Sequence, residues 1–490
     1  MQLPDLNSVV QLLSYKPEQP LLFNSGLFFW LFLIFVSGFY LIHRHQIFKV
    51  LYVLTFSLYF YYLSSGWYFL LLILCTVVDY LIAKGIYNTA NTHHKKLLLI
   101  FSLLYNLGTL AYFKYTNFFF EIYTGISGGA FEPYHIFLPV GVSFFTFQSL
   151  SYTIDVYRKE LAPAKNILEY AFFVSFFPQL VAGPIVRAKD FLSQINKPVF
   201  VSAEMFGRGV LLICTGLIKK AVISDYISTN FVDRIFDNPT LYTGLENLFG
   251  VYGYALQIYC DFSGYSDMAI GIALLLGYEL CINFNSPYQS TSITEFWRRW
   301  HISLSTWLRD YLYISLGGNR HGKWRTYINQ FITMLLGGLW HGAAMKFVIW
   351  GMLHGIALGF DKFRMELSKN KKQNFGNTVL GGIITFHFVC FCWIFFRADD
   401  MMHVQQMLSQ IFIHFNIGIL PEFLSGYKAV LSMLAAGYLL HLTPIHVKTK
   451  IKNIVIQSPF VWKVALLIIS ILLVGQFKSA ELQPFIYFQF

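Results

Sequence analysis

Long apolar runs separated by short polar segments dominate the pattern of this chain. A helix needs about 20 mostly apolar residues to cross the ~30 Å hydrocarbon core of a bilayer. Runs of this kind recur over most of the sequence, and we count roughly 11 to 13 of them, beginning with Leu21–Ile42. The pattern predicts an all-α, polytopic membrane protein, and no linker or internal repeat divides residues 1–490, so we expect a single membrane-embedded domain.

Composition narrows the class further. Of the 490 residues, 56% are hydrophobic and only 12% are charged, with a mean hydropathy of +0.53. These values exclude a water-soluble protein of this length, so the lipid bilayer is the expected environment. The net charge of +11 comes from basic residues in short loops, as in the cytoplasmic loops of membrane proteins, and we expect no nucleic-acid partner.

The distribution of charge predicts an orientation for the first span. Residues 1–20 carry Asp5, Lys16 and Glu18, whereas the loop after the first apolar run carries Arg44 and Lys49. Because basic loops face the cytoplasm, the N-terminus is predicted to lie outside. The first run is long for a cleavable signal and lacks a small-residue cleavage site, so we expect it to remain as a span.

Two segments depart from the simple apolar pattern. Leu138–Tyr157 and Tyr170–Pro184 contain Pro, Gly, Ser and Gln among their apolar residues. Non-helical backbone at membrane depth is tolerated only where protein or a water-filled cavity covers it. We therefore predict that one of them does not cross cleanly and that both line a cavity. The next run, Gly207–Ile223, is predicted to end at the cytoplasm, marked by Lys219 and Lys220.

Asp261 and Asp267 lie inside the otherwise apolar run Tyr252–Gly277. Buried carboxylates need hydrogen-bond donors or a proton. They are candidate acid/base or substrate-binding groups, but an Asp beside Ser and Gly in a membrane helix more often caps a broken helix end. Both interpretations are kept.

The segment Cys281–Arg325 contains six arginine and lysine residues against two acidic ones, a balance of +4, and is predicted to face the cytoplasm. Arg298 and Arg299 would face water from a helix that lies in the membrane interface. An apolar stripe at helical spacing predicts this helix, and its tryptophans are expected to anchor it there: Trp297, Trp300, His301, Leu304 and Leu308.

His341 is the strongest candidate for chemistry. The apolar arm before it, Thr326–Trp340, has 15 residues and would extend about 22 Å, less than the ~30 Å core. His341 is therefore predicted to lie within the membrane, where an ionisable side chain is costly and is usually functional. The alternative is a histidine that only hydrogen-bonds across packed helices.

Other catalytic patterns are absent from the sequence. The stretch GGNRHGK resembles a phosphate-binding loop, but Trp324 replaces the Ser or Thr that would hold magnesium. The six cysteines show no C-x-x-C spacing, so we expect neither disulfides nor a metal site. No serine elbow is present. His341 as a general base for acyl transfer to an alcohol is then the simplest chemistry, and a basic cytoplasmic mouth would attract an anionic donor.

Several motifs together resemble the membrane-bound O-acyltransferase superfamily. The resemblance covers nearly the whole chain and is closer to the bacterial alginate O-acetylation type than to the D-alanyl transfer proteins of teichoic acid modification. The motifs are LPVGVSFFTFQSLSYTIDVYR, FFPQLVAGPIVR, YALQIYCDFSGYSDMAIG, NFNSPY, EFWRRWHISLSTWLRDYLYISLGGNR, LWHGAAMKFVIWGMLHG, WIFFRA and FIYFQF.

The resemblance implies roles for individual residues. His341 matches the family's catalytic histidine, and His301 matches its second functional histidine. The remaining candidates for substrate binding are Trp297, Arg298, Arg299, Trp340, Asp261, Asp267 and Asn283. The resemblance also implies helices around a central tunnel in a bacterial cytoplasmic membrane. No cofactor is expected to be bound.

The expected reaction is O-acylation of an extracytoplasmic polysaccharide, with an acetyl group supplied by acetyl-CoA or by an acyl-carrier protein. Segments 114–137 and 399–427, predicted to lie outside, are each under 30 residues, too short for a saccharide-binding domain with its own core. A separate extracytoplasmic partner, a Ser-His-Asp acyltransferase of the SGNH type, is therefore expected. Alternatives are D-alanyl or peptidoglycan acyl transfer, or a proton-coupled transporter that uses His341 and the two aspartates as a relay.

Overall fold

The computed structural model describes residues 6–17, 19–367, 375–477 and 486. All regular secondary-structure elements among these residues are helices, so the all-α prediction is confirmed. Asp5 and Glu18, which support the orientation of the N-terminus, lie outside the described residues, as does the FIYFQF motif except for Ile486. That orientation stays a prediction.

Four helical stretches are long and apolar enough to cross a membrane: Gln46–Asn88, Thr92–Ser127, Gly376–Arg397 and Phe460–Phe477. The number rises to six if each of two bent helix pairs, with bends of 82° and 91°, is one span. The larger sequence count also includes shorter runs, such as the apolar helix Gly26–Ile42. Several long apolar helices agree with a polytopic membrane protein.

The described residues group into two compact units. Unit 1 contains the described residues up to Gly209 together with Ala269–Cys281, and unit 2 contains Val210–Met268 and the described residues from Ile282 onward. The residues of two helices, Ala203–Leu217 and Gly244–Leu275, are divided between the units. The expectation of a single domain stays a prediction.

Unit 1 is built mainly from apolar helices. Its helices are Leu6–Leu12, Gly26–Ile42, Gln46–Ser65, Phe69–Asn88, Thr92–Leu110, Thr116–Ser127, Val142–Tyr157, Ile167–Ser175, Phe177–Leu180 and Ala188–Ile195. The turn at Gly66, with φ 61°, separates the helices Gln46–Ser65 and Phe69–Asn88.

The two unusual segments of unit 1 form buried helices. Val142–Tyr157 is buried along nearly its whole length. The second segment is broken, because the helix ends at Ser175 and Pro178 begins a short new turn, Phe177–Leu180. The structure thus shows a broken helix, and the prediction that one segment does not cross the membrane cleanly stays a prediction. A cavity lined by both segments stays a prediction.

Unit 2 holds the α-helices that lie wholly after Val210, apart from the divided helix Gly244–Leu275. They are Asp225–Ile227, Asp233–Asp237, Ile293–Arg299, Ile302–Trp307, Gly322–His341, Met345–Leu367, Phe375–Arg397, Met401–Phe412, Leu420–Gly426, Lys428–Leu442, Ile445–Gln457 and Phe460–Phe477. We call Gly322–His341 the His341 helix and Met345–Leu367 the His354 helix. A three-residue connection joins these two, so they form a hairpin.

Glycines set the spacing of this hairpin. A Cβ atom added at Gly351 would lie 2.6 Å from the Met334 carbonyl oxygen, and one at Gly338 would collide with the Phe347 carbonyl oxygen. The backbones of the two helices therefore approach more closely than any larger residue allows. The His341 helix has 20 residues, because it begins at Gly322, four residues before the apolar arm Thr326–Trp340. The position of His341 within the membrane stays a prediction.

Candidate active site

His301 lies at a break between two short helices. The helices Ile293–Arg299 and Ile302–Trp307 are separated at Trp300 and His301, and His301 has φ 42° and ψ 56°. This left-handed conformation is uncommon for a residue with a side chain and must be held by its surroundings. The prediction of one continuous interfacial helix is wrong here, and His301 is completely buried.

Asn283 holds His301 in place. The Asn283 side-chain oxygen lies 3.0 Å from His301 Nδ1 and accepts from the Ser303 hydroxyl at 2.9 Å. The Asn283 amide group donates to Ser266 Oγ at 3.1 Å, and its backbone carbonyl accepts from the Ile302 N–H at 2.9 Å. Because its oxygen accepts hydrogen bonds here, Asn283 favours the imidazole tautomer with a proton on Nδ1. Its structural role is to orient the histidine.

The predicted apolar stripe is buried within unit 2. Trp300 is 1% exposed and its ring lies 5.0 Å from that of Trp393. Trp297 is also buried and donates from Nε1 to His354 Nδ1 at 3.3 Å. The expectation that Trp297 and Trp300 anchor a surface helix is therefore wrong, because both pack in the protein core. Among residues 297–300, only the Arg298 side chain is exposed.

His341 ends its helix among aromatic rings. Its side chain is 3% exposed and its ring centroid lies 5.0 Å from Trp350, 5.1 Å from Trp340 and 5.3 Å from Phe396. Trp340 also lies 6.0 Å from His301. One tryptophan ring thus contacts both predicted histidines, and the structure brings together three of the predicted site residues.

A third histidine, which the sequence analysis did not single out, lies beside this cluster. His354 is completely buried and its ring centroid lies 4.7 Å from that of Trp350. Since Trp297 donates to Nδ1, the proton of a neutral His354 is on Nε2. Among the described residues neither His354 Nε2 nor Trp350 Nε1 has a hydrogen-bond acceptor.

The position of these two donors matters because buried N–H groups are rarely left without an acceptor. Residues 350 and 354 are one turn apart on the same helix, and Trp350 touches His341. The signal for His354 in the sequence was only a histidine in an apolar helix, on the arm after His341. Its partner Trp297 lies 57 positions away, which no local pattern reveals.

The two predicted aspartates pair with lysines. Asp267 lies 2.6 Å from Lys219 Nζ, and Asp261 lies 2.6 Å from Lys220 Nζ. Lys220 also contacts Asp225 at 2.8 Å. Both aspartates sit within the continuous helix Gly244–Leu275, so the helix-cap interpretation is wrong.

The prediction that Lys219 and Lys220 mark the cytoplasmic end of a helix also needs correction. Lys220 is 2% exposed, so it does not mark a cytoplasmic helix end. Burial of a charge is tolerable only when it is paired, and the aspartates supply that pairing. A direct role of Asp261 or Asp267 in substrate binding stays a prediction.

The site chemistry is that of buried imidazoles in an aromatic enclosure. A neutral imidazole can accept a proton from an alcohol, and indole and imidazole N–H groups can donate to a developing negative oxygen.

A family model described as MBOAT, membrane-bound O-acyltransferase family, matches residues 158–405, which include all three histidines. The chain belongs to this family and is a multi-pass membrane protein.

Three similar proteins belong to the same class by their names. "Probable alginate O-acetylase AlgI" of Pseudomonas aeruginosa is 42% identical over 399 residues, covering 80% of this chain and 75% of that protein. "Peptidoglycan O-acetyltransferase" of Helicobacter pylori is 38% identical over 420 residues, 79% of each chain. "Teichoic acid D-alanyltransferase" of Bacillus subtilis is 31% identical over 293 residues, 55% of this chain and 71% of that protein.

The protein is therefore an acyltransferase of the O-acetyltransferase type. The transporter alternative is set aside by this membership. The resemblance drawn from the sequence motifs is confirmed.

Proposed function

We propose that the protein moves an acetyl group from a cytoplasmic thioester donor across a bacterial cytoplasmic membrane, with its N-terminus outside, for O-acylation of an extracytoplasmic polysaccharide. The observation that carries the proposal is the buried cluster in which Trp340 contacts both His341 and His301. The similarity to alginate and peptidoglycan O-acetylation proteins supports acetyl as the acyl group.

His341 serves as the general base in this proposal. The imidazole takes the proton of an acceptor hydroxyl while the hydroxyl oxygen attacks the thioester carbonyl carbon. The carbon–sulfur bond then breaks, the thiolate leaves and takes the proton from the imidazolium, and an oxygen ester has formed. General-base catalysis contributes typically ~10²–10⁴-fold to such a step.

Trp350 and His354 would stabilise the carbonyl oxygen during this attack. Their N–H groups have no acceptor among the described residues, and Trp350 lies against His341. Fixed donors that face a developing negative charge in a buried site lower the barrier, each typically by ~10²–10³-fold in rate. His301, held by Asn283, would position the acyl group beside Trp340.

The acyl donor is acetyl-CoA or an acyl-carrier protein in this proposal, and both are anionic. Arg298 is exposed and belongs to a segment with a balance of +4. A positive surface raises the local concentration of an anionic donor. No bound cofactor or metal takes part.

The acceptor hydroxyl belongs to a second protein. A buried His341 can be reached only by a narrow group, and a long polysaccharide must be held while its hydroxyls are esterified. An extracytoplasmic Ser-His-Asp acyltransferase would present its serine, become acylated, and pass the acyl group to the sugar. Of the two segments predicted to lie outside, 114–137 includes the end of the helical stretch Thr92–Ser127, and 399–427 forms the bent helix pair Met401–Phe412 and Ile417–Gly426. Neither segment is long enough for a saccharide-binding domain with its own core.

The test is reconstitution in liposomes with labelled acetyl donor on one side. The expected result is labelling of the partner's serine and then of the polysaccharide, with no labelled polysaccharide when the partner is omitted. Efficient acylation of the polysaccharide by this protein alone would overturn the relay. Parallel reactions with alginate, peptidoglycan fragments, and a D-alanyl donor with teichoic acid identify the acceptor and the acyl group.

A further inference from the structure

Two adjoining cavities in unit 2 are lined by none of the three buried histidines, His301, His341 and His354. The larger is a groove of about 950 Å³ between the helices Phe375–Arg397 and Lys428–Leu442, near the upper end of the usual size of ligand pockets, ~300–1,000 Å³. Its walls are apolar and aromatic, with Phe386, Leu434 and Tyr438 among them. A groove of this character accepts a hydrocarbon chain.

The smaller cavity is polar. It has a volume of about 220 Å³ and is lined by Ser286, Arg299, Thr443 and Lys448, among others. Gln289 lines both cavities, and Leu442 at the end of the groove precedes Thr443 of the pocket. The apolar groove therefore adjoins a small pocket that contains two cationic side chains.

Lys448 supplies positive charge that this pocket does not neutralise. Its ammonium group donates to Ser286 Oγ at 2.7 Å and to the His441 carbonyl oxygen at 2.8 Å. An ammonium group has three donors, so one remains for a ligand. Among the described residues no carboxylate lies within ion-pair distance of Lys448.

Arg299 is partly neutralised. Its guanidinium lies 2.8 Å from Glu295. Burial raises the pKa of the Glu295 carboxyl, but hydrogen bonds from Thr291 and Arg299 outweigh it and hold the pKa below its usual value. Glu295 is thus ionised and balances Arg299, while Lys448 keeps the pocket positive. The first turn of the helix Ile445–Gln457 also lines the pocket, and the positive end of its dipole adds to this charge.

The length of the groove matches one leaflet of a bilayer. Its lining residues on one helix run from Leu431 to Leu442, a rise of about 16 Å, which is about half of the ~30 Å hydrocarbon core. The polar pocket lies at one end, beside a helix that also carries Lys450 and Lys452. Such basic clusters favour the cytoplasmic surface.

We infer that these two cavities form a binding site for one anionic phospholipid, with an acyl chain in the groove and the phosphate group in the pocket, where it contacts Lys448 and Arg299. The site is separate from the proposed transfer step and does not depend on it. It would hold a lipid of the cytoplasmic leaflet against the two helices that form the groove.

The experiment measures lipid binding to the purified, delipidated protein by native mass spectrometry, with thermal unfolding as a second readout. Phosphatidylglycerol is expected to bind and to raise the melting temperature. Lys448→Glu is expected to weaken binding by about tenfold or more, because it removes a hydrogen bond to a charged group. The matched control is Lys450→Glu, the same charge change at an exposed position of the same helix, and it should bind as the wild type does.

Two further arms separate the parts of the site. Ala435→Trp fills the groove without altering a charge and should also weaken binding. Diacylglycerol, which has no phosphate, should bind much more weakly than phosphatidylglycerol. If Lys448→Glu does not fold, Lys448→Gln replaces it, since it keeps most of the side-chain volume.

Three results would overturn the inference. One is equal binding of diacylglycerol and phosphatidylglycerol, and another is unchanged phosphatidylglycerol binding in the Lys448 variant. The third is displacement of the lipid by coenzyme A or inorganic phosphate, with that soluble binding lost in the Lys448 variant. This last result would assign the pocket to a soluble phosphate ester instead of a lipid.

Discussion

Histidine side chains occupy very different settings in this protein. His301, His341 and His354 are buried against aromatic rings, whereas His414 is exposed. Burial removes water from an imidazole and leaves its proton transfers to the few groups that can reach it. Substitution of a buried histidine should therefore affect turnover far more than substitution of an exposed one.

His341→Ala should reduce acyl transfer by ~10²–10⁴-fold, the usual contribution of a general base. The measurement is turnover of labelled thioester in liposomes, with folding checked by thermal unfolding. His414→Ala is the matched control and should retain full turnover. Near-normal turnover of the His341 variant would remove the general base from the mechanism.

His354→Phe should lower turnover by ~10²–10³-fold, as expected for the loss of one donor to a negative oxygen. A purely structural role predicts a fall in stability, because the Trp297 N–H loses its acceptor. It predicts no selective fall in kcat, because Phe preserves the ring packing against Trp350 and Phe296. The decisive comparison is kcat against KM for the donor. A loss confined to KM, or no loss, contradicts a role in transition-state stabilisation.

The sequence allowed two of these three histidines to be predicted. His341 stood out because it follows an apolar arm, and the motif resemblance assigned His301. His354 acquires significance only from its neighbours, since the hydrogen bond from Trp297 fixes its tautomer. Such a contact between distant residues has no signature in a single sequence.

At the scale of secondary structure, the hairpin of the His341 and His354 helices depends on glycine. Gly351→Ala should destabilise the protein by ~1–3 kcal/mol, the usual cost of overpacking, because the added Cβ meets the Met334 carbonyl oxygen at 2.6 Å. Turnover should fall as well, since Trp350 and His354 move with the displaced helix. Thermal unfolding and turnover are measured on the same preparation.

The control for this substitution is Gly359→Ala on the same helix. Its added Cβ would find its nearest neighbour, a Tyr327 ring carbon, at 3.7 Å, which is ordinary contact. Both variants gain the same helix propensity, about 1 kcal/mol, so their difference isolates the close approach. Equal stability of the two variants would show that the helices can separate without cost.

The break at His301 is a feature that the helical spacing of apolar residues did not predict. The apolar stripe continues from Trp297 to Leu308, which predicts one helix. The structure turns the chain at His301 because Asn283, 18 positions earlier, takes the hydrogen bonds of His301 and Ser303. The apolar stripe predicted correctly which positions are buried, but it did not predict which parts of the chain pack against them.

At the scale of the whole molecule, composition was sufficient to predict a membrane protein with many helices. It could not predict how charges inside it are paired. Lys219 and Lys220 were predicted to mark a cytoplasmic helix end, and helix capping was one of two interpretations of Asp261 and Asp267, because a local pattern does not reveal a partner that is distant in the sequence. Their ion pairs join residues 48 and 41 positions apart in the sequence.

Lys220→Met should destabilise unit 2 by ~3–5 kcal/mol, because removal of one partner leaves buried charge uncompensated. Asp261 and Asp225 both lose their contact with the ammonium group. The double variant Lys220→Met with Asp261→Asn should recover part of the loss. Thermal unfolding tests this, with Lys428→Met at an exposed position as control. A double variant less stable than the single one would contradict the pairing.

The same ion network has a consequence for biogenesis. Lys220 and Asp225 are five residues apart, so they can neutralise each other as soon as their segment leaves the ribosome. Asp261 joins only when the following long helix is inserted, and its second oxygen accepts a hydrogen bond from the Ile486 N–H, 225 positions later. The contacts of this network are therefore completed in the order of synthesis, and the last of them can form only after residue 486 has been made.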